Sequence, residues 1–345
     1  MNRLFNLDYL RGLTAFGIMI YHYLTWSFGE FGADTFMGRV GVYGVSIFYV
    51  LSGLTLFYVY NNKMSLTFED IISFFKKRIF RIFPMIWLVT LASIALSMKT
   101  PDFFNLFLNL SGLFGFFKWD TYFSPGVWSI GNELVFYVFF PFFLILSKSF
   151  KYLFVLLCSI ILFLFLYFAF FKLSAQTPLS EQWSDYINPL NQVFLFLGGF
   201  LLGLFFNTLK VNNVFSIALL IFSVLIFNFY PANGNTIVLV TGLNRLIFTV
   251  LSFSICFSFY KLSLKFPFFI HKPLTILGES SYSVYLLHPI VFKVVEFISK
   301  KIFNIPDNFL VIFSIIITLG ISYFTYEYFE KFFINFGKRN FFKKS

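Results

Sequence analysis

Apolar runs of roughly membrane-spanning length recur along the whole chain, separated by short polar breaks. A helix needs about 20 apolar residues to cross hydrocarbon. Ten such runs can be drawn, near 7–28, 40–60, 79–98, 127–147, 152–171, 189–207, 213–230, 236–258, 276–297 and 309–329. This predicts an all-α polytopic membrane protein of about ten transmembrane helices, with residues 1–345 forming one membrane-embedded domain. Residues 103–117 are apolar but short for a crossing, and they read as a re-entrant or interfacial segment. The largest loops, 99–126 and 172–188, are too short to hold a core of their own. No internal repeat is visible, which weakens a transporter built from two related halves. No small-residue cleavage pattern follows Asp8 and Arg11, so no signal peptide is expected.

Lysine and arginine set the orientation. With the N-terminus inside, the inner segments hold 17 cations, among them Arg3, Lys76, Lys77, Arg78, Arg81, Lys265, Lys343 and Lys344, and the outer segments hold six. The bias predicts both termini in the cytoplasm and a multi-pass protein of the inner (cytoplasmic) membrane. If 103–117 crossed, every later loop would change sides and the bias would collapse.

Composition agrees: 59% of residues are apolar and 12% charged, against about 25% charged in soluble proteins. Topology accounts for the net charge of +11, so membrane lipids are expected partners and nucleic acid is not. The 59 phenylalanines are scattered through every run and read as packing and lipid-facing surface. Cys158 and Cys256 stand apart in apolar runs, so neither a disulfide framework nor a metal site is expected.

Candidate chemistry lies in the few polar residues inside the runs. Arg11 and His22 are eleven residues apart. At about 100° per residue they share one helical stripe, with backbones roughly 16 Å apart along the axis. Intramembrane ionisable groups are expensive, so this stripe suggests a polar path through protein. Topology puts Arg11 towards the inside with Arg78 and Arg81. It puts His22 in the outer half with Glu133, which follows Trp128, Ser129 and Asn132 at the start of the fourth run. Two layers are thus expected. Arginines in a pocket with limited water suit phosphates through forked hydrogen bonds. A carboxylate accepting one ring N–H would fix the His22 tautomer and raise its basicity, as a general base requires. Each residue also has a structural reading. Arg11 can be a snorkelling anchor, His22 a packed histidine, and Arg78 and Arg81 ordinary positive-inside charge. His288, beside Pro289, can line the cavity or cap a kink, Tyr282 and Tyr285 can simply pack, and His271 reads as solvated. Gly199 and Gly203 suggest a close helix contact.

Together these segments resemble the acyltransferase 3 family of integral membrane acyltransferases. Arg11 to His22 matches the family's Arg/Lys-x10-His signature. Gly44–Gly53 resembles its serine-glycine segment, Arg78–Pro84 its basic run ending in proline, and Trp128–Glu133 its Trp-Ser-x-x-x-Glu motif. Leu277–Pro289 resembles its late motif, and Glu330-Lys331-Phe332 its Glu-x-Pro ending, with phenylalanine in place of proline. The resemblance implies transfer of an acyl group, usually acetyl, from cytoplasmic acyl-CoA to an acceptor hydroxyl. The expected acceptor is a surface glycan or lipid-linked saccharide of O-antigen, lipopolysaccharide or capsule type. On this reading acetyl-CoA is a co-substrate and no cofactor is tightly bound. Arg11, Arg78 and Arg81 would hold the donor's phosphates. His22 would be the general base, oriented by Glu133, with a covalent acyl-histidine as second choice. Trp128, Ser129, Asn132, Tyr282 and His288 are expected cavity-lining residues. The competing class is a transporter or polysaccharide-export protein using the same charges as a substrate or proton path.

Overall fold

The computed structural model describes residues 4–264, 266–303 and 305–339; the side chain of residue 303 is not described. Arg3, Lys265, Lys343 and Lys344, counted above as inner cations, lie outside them. The helices are α1 (Phe5–Phe28), α2 (Phe36–Tyr60), α3 (Phe68–Ser97), α4 (Phe103–Ser111), α5 (Phe114–Phe117), α6 (Val127–Ser149), α7 (Lys151–Tyr167), α8 (Trp183–Tyr186), α9 (Pro189–Phe206), α10 (Asn213–Phe229), α11 (Gly242–Lys261), α12 (Phe268–Glu279), α13 (Ser281–Ile298), α14 (Asp307–Phe324) and α15 (Lys331–Lys338). No strand occurs among the described residues. Eight helical segments are long and apolar enough to cross a membrane: 36–60, 68–97, 127–149, 151–172, 183–206, 242–261, 281–302 and 307–338. α1, 24 residues long but richer in polar positions, and α10, 17 residues long, complete the ten expected segments. The protein is an all-α polytopic membrane protein.

Glycines let the central helices approach closely, as helices in lipid require. A Cβ at Gly53 of α2 would strike the Phe196 carbonyl of α9, and one at Gly199 the Val50 carbonyl. Gly203 receives the Phe57 ring, so the two glycines of α9 make the close contact expected of them. α1 lies on α12 in the same way, at Gly12 and Gly278. There Tyr9 bonds His271 Nδ1 at 2.5 Å, and Phe5 meets the ring edge. His271 is therefore a packing contact between these helices, not a solvated residue.

The outer surface is apolar, as contact with lipid tails demands. Leu153, Val155, Leu156, Leu162 and Phe163 of α7 and Ile312, Phe313 and Ile316 of α14 are all exposed. Inside, Phe136, Phe140 and Phe143 of α6 meet Phe196 and Phe200 of α9 at ring separations of 5.4–6.4 Å.

The 103–117 segment forms α4 and α5, of nine and four residues, both too short to cross. The chain turns between them at Gly112, whose φ of +74° suits glycine. Gly115 then seats α5 against the Gly131 backbone of α6. This placement matters for the site, because it packs α5 on α6 two residues before Glu133. Val127 is 0% exposed, Trp128 7% and Ser129 4%.

Candidate active site

α1 carries both ends of the candidate site. Near its start, Arg11 donates to Thr55 Oγ1 of α2 at 2.9 Å and pairs with Asp8 one turn back at 3.2 Å. It lines a cavity enclosed by α1, α2, α3, α6 and α13, with about 770 Å³ of empty space counted out to its mouth. Arg78, Arg81, Ser52, Ser129, Glu133, Tyr137, Tyr282 and Tyr285 share the lining. The three arginines therefore face one space, although they come from two helices far apart in the chain.

Each cation is held differently. The Arg78 guanidinium sits among the rings of Tyr60, Phe74 and Tyr137 at 5.5–5.7 Å, and donates weakly to the Tyr60 hydroxyl at 3.4 Å. Cation–π contacts of this kind strengthen when water is scarce. Its Nε is buried with no protein partner among the described residues. Below the cavity, a wider vestibule shares Arg11, Arg78 and Arg81 and adds Lys63, Lys338, Asp8, Glu279 and Glu330. Glu330 is buried and accepts a hydrogen bond from Ser283. It ends a π-helical turn, Thr325–Glu330, a deviation from regular helix often found at functional sites. Sequence reasoning treated this glutamate as part of a helix-ending motif and gave it no place in the site. Lys63 and Lys338 count among the inner topology charges, Tyr285 reads from sequence as a packing residue, Ser52 lies inside a longer motif, and Thr55 and Tyr137 carry no motif signal.

Glu133 does not sit beside His22. It accepts hydrogen bonds from Ser52 Oγ at 2.8 Å and from the Tyr137 hydroxyl, within the arginine-lined cavity. Helix register explains the difference. Ser129 Oγ lies 2.8 Å from the Tyr285 hydroxyl, which puts Ser129 at that level of α13. His288 is three residues further along α13, and Glu133 is four residues further along the oppositely running α6. At about 1.5 Å per residue these offsets add to roughly 10 Å along the bundle. The expectation assumed that α6 begins at the membrane surface. In the structure the start of α6 lies level with Tyr285 of α13, so Glu133 falls on the other side of that level from His288.

His22 is paired with His288 instead. His22 Nδ1 and His288 Nε2 are 2.8 Å apart. Trp26 stacks over His22 at 5.1 Å with planes 6° apart. Tyr23, fully buried, donates to the His288 carbonyl at 3.0 Å and contacts Thr318 Oγ1 at 2.6 Å, bracing α13 against α1 and α14. Neither histidine lines the arginine cavity. Tyr285 separates them from it: its hydroxyl bonds Ser129 and the Gly126 carbonyl on one side, and its ring centroid lies 6.1 Å from that of His288 on the other.

The remaining expected residues divide. Ser129 and Tyr282 line the cavity, and Tyr282 donates to the Ile82 carbonyl at 3.2 Å. Trp128 and Asn132 turn away from it. Trp128 packs on Trp183 and Tyr186, while the Asn132 amide donates to the Tyr49 hydroxyl and the Ile187 carbonyl, tying α6 to the segment after α8. Both point to the side of α6 that receives this outer segment, which hydropathy does not reveal.

A family model described as an acyltransferase domain matches residues 4–327, nearly the whole chain. The protein belongs to the acyltransferase 3 family. No curated protein and no solved structure matches it. Membership makes the protein a membrane acyltransferase, and the match runs through every element that builds the cavity and the histidine pair, from α1 to the π-helical turn after α14.

Proposed function

We propose that this acyltransferase moves an acyl group, acetyl in the simplest case, from cytoplasmic acyl-CoA to a hydroxyl of a surface glycan or lipid-linked saccharide. The protein would sit in the inner membrane with both termini in the cytoplasm. The observation that carries this reading is the joining of the vestibule to the arginine cavity through the shared Arg11, Arg78 and Arg81. Phosphates of the nucleotide end suit the vestibule cations, by charge-assisted hydrogen bonds. To reach His22 the thioester arm would need the Tyr285 side chain, which stands between the cavity and the histidines, to swing aside. There the acceptor oxygen attacks the thioester carbonyl while His22 takes its proton. The C–O bond forms, the C–S bond breaks, and the thiolate leaves and receives that proton back from the imidazole.

The test is transfer of labelled acetyl from acetyl-CoA to a lipid-linked saccharide by the purified protein in vesicles. Label should appear in the saccharide with wild-type protein and fall to background with His22→Ala. Transfer by His22→Ala at the wild-type rate would refute His22 as base. Absence of any donor-dependent transfer or CoA release by the wild type would refute the donor assignment.

A further inference from the structure

We infer that His288 is the positioning partner of His22, holding it in the single tautomer whose Nε2 carries the free lone pair. The assignment follows from what each atom can donate. His288 Nδ1 lies 3.2 Å from the Val284 carbonyl, one turn back on α13. The Tyr285 carbonyl also faces this ring; Pro289 deprives that carbonyl of its helical N–H. A carbonyl only accepts, so Nδ1 of His288 carries hydrogen. A neutral imidazole has one N–H and one bare nitrogen. His288 is 0% exposed, and a doubly protonated ring there would be an expensive buried cation. Its Nε2 is therefore the acceptor, and the hydrogen between the rings belongs to His22 Nδ1. A cation is costly inside a membrane protein, so His22 at rest is neutral as well, and its Nε2 is left unprotonated.

Ring geometry agrees. The His22 and His288 centroids are 5.0 Å apart with planes 10° apart, while the facing nitrogens are 2.8 Å apart. Those values fit rings meeting edge to edge, with the N–H aimed along the in-plane lone pair. Trp26 covers a face of His22 and leaves both ring nitrogens free of its own contact. The backbone of α13 thus does for His22, through His288, what a carboxylate does in a serine-hydrolase triad. When His22 takes a proton from the acceptor hydroxyl, the new charge is shared along the His22–His288–carbonyl line. The catalytic part of this assignment rests on the acyl-transfer reading above; the tautomer does not.

The chain has three histidines, so imidazole ¹⁵N spectra of labelled protein in lipid can be assigned with single variants. At neutral pH, His22 and His288 should both show protonated Nδ1 and bare Nε2. In turnover, His288→Leu should lower kcat at least about tenfold, of the order lost with general-base assistance, and leave the acyl-CoA KM within about twofold. His288→Gln, whose amide oxygen can accept from His22 and whose NH₂ can donate to the carbonyl, should restore much of the loss. An Nε2–H tautomer at His22 overturns the proposal whether or not the protein transfers acetyl. So does a well-folded His288→Leu variant with unchanged kcat, or equal losses in Leu and Gln.

Discussion

The two ends of α1 solve the problem of polar groups in a membrane in opposite ways. At the N-terminal end Arg11 opens onto a cavity whose charges have several partners each: Thr55 and Asp8 for Arg11, three rings for Arg78, two hydroxyls for Glu133. At the C-terminal end His22 has one side-chain hydrogen-bond partner, His288, in a tightly packed aromatic setting. Charges that must bind and release an anion need alternatives for when it is absent. A base needs one defined proton acceptor site, and a second partner would spoil it. The N-terminal end of α1 therefore suits binding and its C-terminal end suits proton transfer. Tyr285 keeps them apart.

Removing the base should have the largest effect. His22→Ala is expected to lower kcat by about 10²–10⁴-fold, the usual worth of positioned acid–base catalysis, with the donor KM unchanged in steady-state assays. A rise in KM instead would erase the division between the two ends. Arg11→Ala should do the reverse. Loss of a charged hydrogen bond costs about 1.5–3 kcal/mol, so the acyl-CoA KM should rise roughly ten- to hundredfold at nearly constant kcat. Glu133→Gln decides which end Glu133 serves. Its carboxylate lines the same cavity as the arginines and repels donor phosphates there, so the variant's donor KM should fall several-fold. A loss confined to kcat would return Glu133 to the side of His22.

The fold was legible because bilayer thickness imposes a length on every span, and hydropathy reads that length directly. The shared cavity of Arg11, Arg78 and Arg81 was legible for a related reason: positive-inside charge placed all three near one depth. Glu133 was misplaced by counting from the start of its apolar run, which assumes that each helix starts at the membrane surface. The register of α6 against α13, set where Ser129 meets Tyr285, is not contained in that count. His288 was read beside its proline, and its pairing with His22 depends on the register of α13 against α1. Single-helix periodicity contains no such information. Glu330 was hidden further, since its inward aim depends on the π-helical turn at 325–330.

Smaller effects test the partition. Tyr285→Ala removes the ring between the two regions, and acceptor-independent release of CoA should then rise as water reaches the thioester beside His22. A tightly sealed variant with no such rise would mean that another element divides the regions. Ser129→Ala is the mildest change. It deletes the 2.8 Å contact to the Tyr285 hydroxyl but leaves the 3.3 Å bond to the Gly126 carbonyl. One net hydrogen bond is worth about 0.5–1.5 kcal/mol, so acceptor-independent release should rise about two- to tenfold, measured as free thiol without saccharide. The donor KM should stay within about twofold, because Ser129 lies at the far end of the cavity from the vestibule. A KM change as large as that of Arg11→Ala would place Ser129 among the donor contacts and move the boundary between the two regions outward by a helical turn.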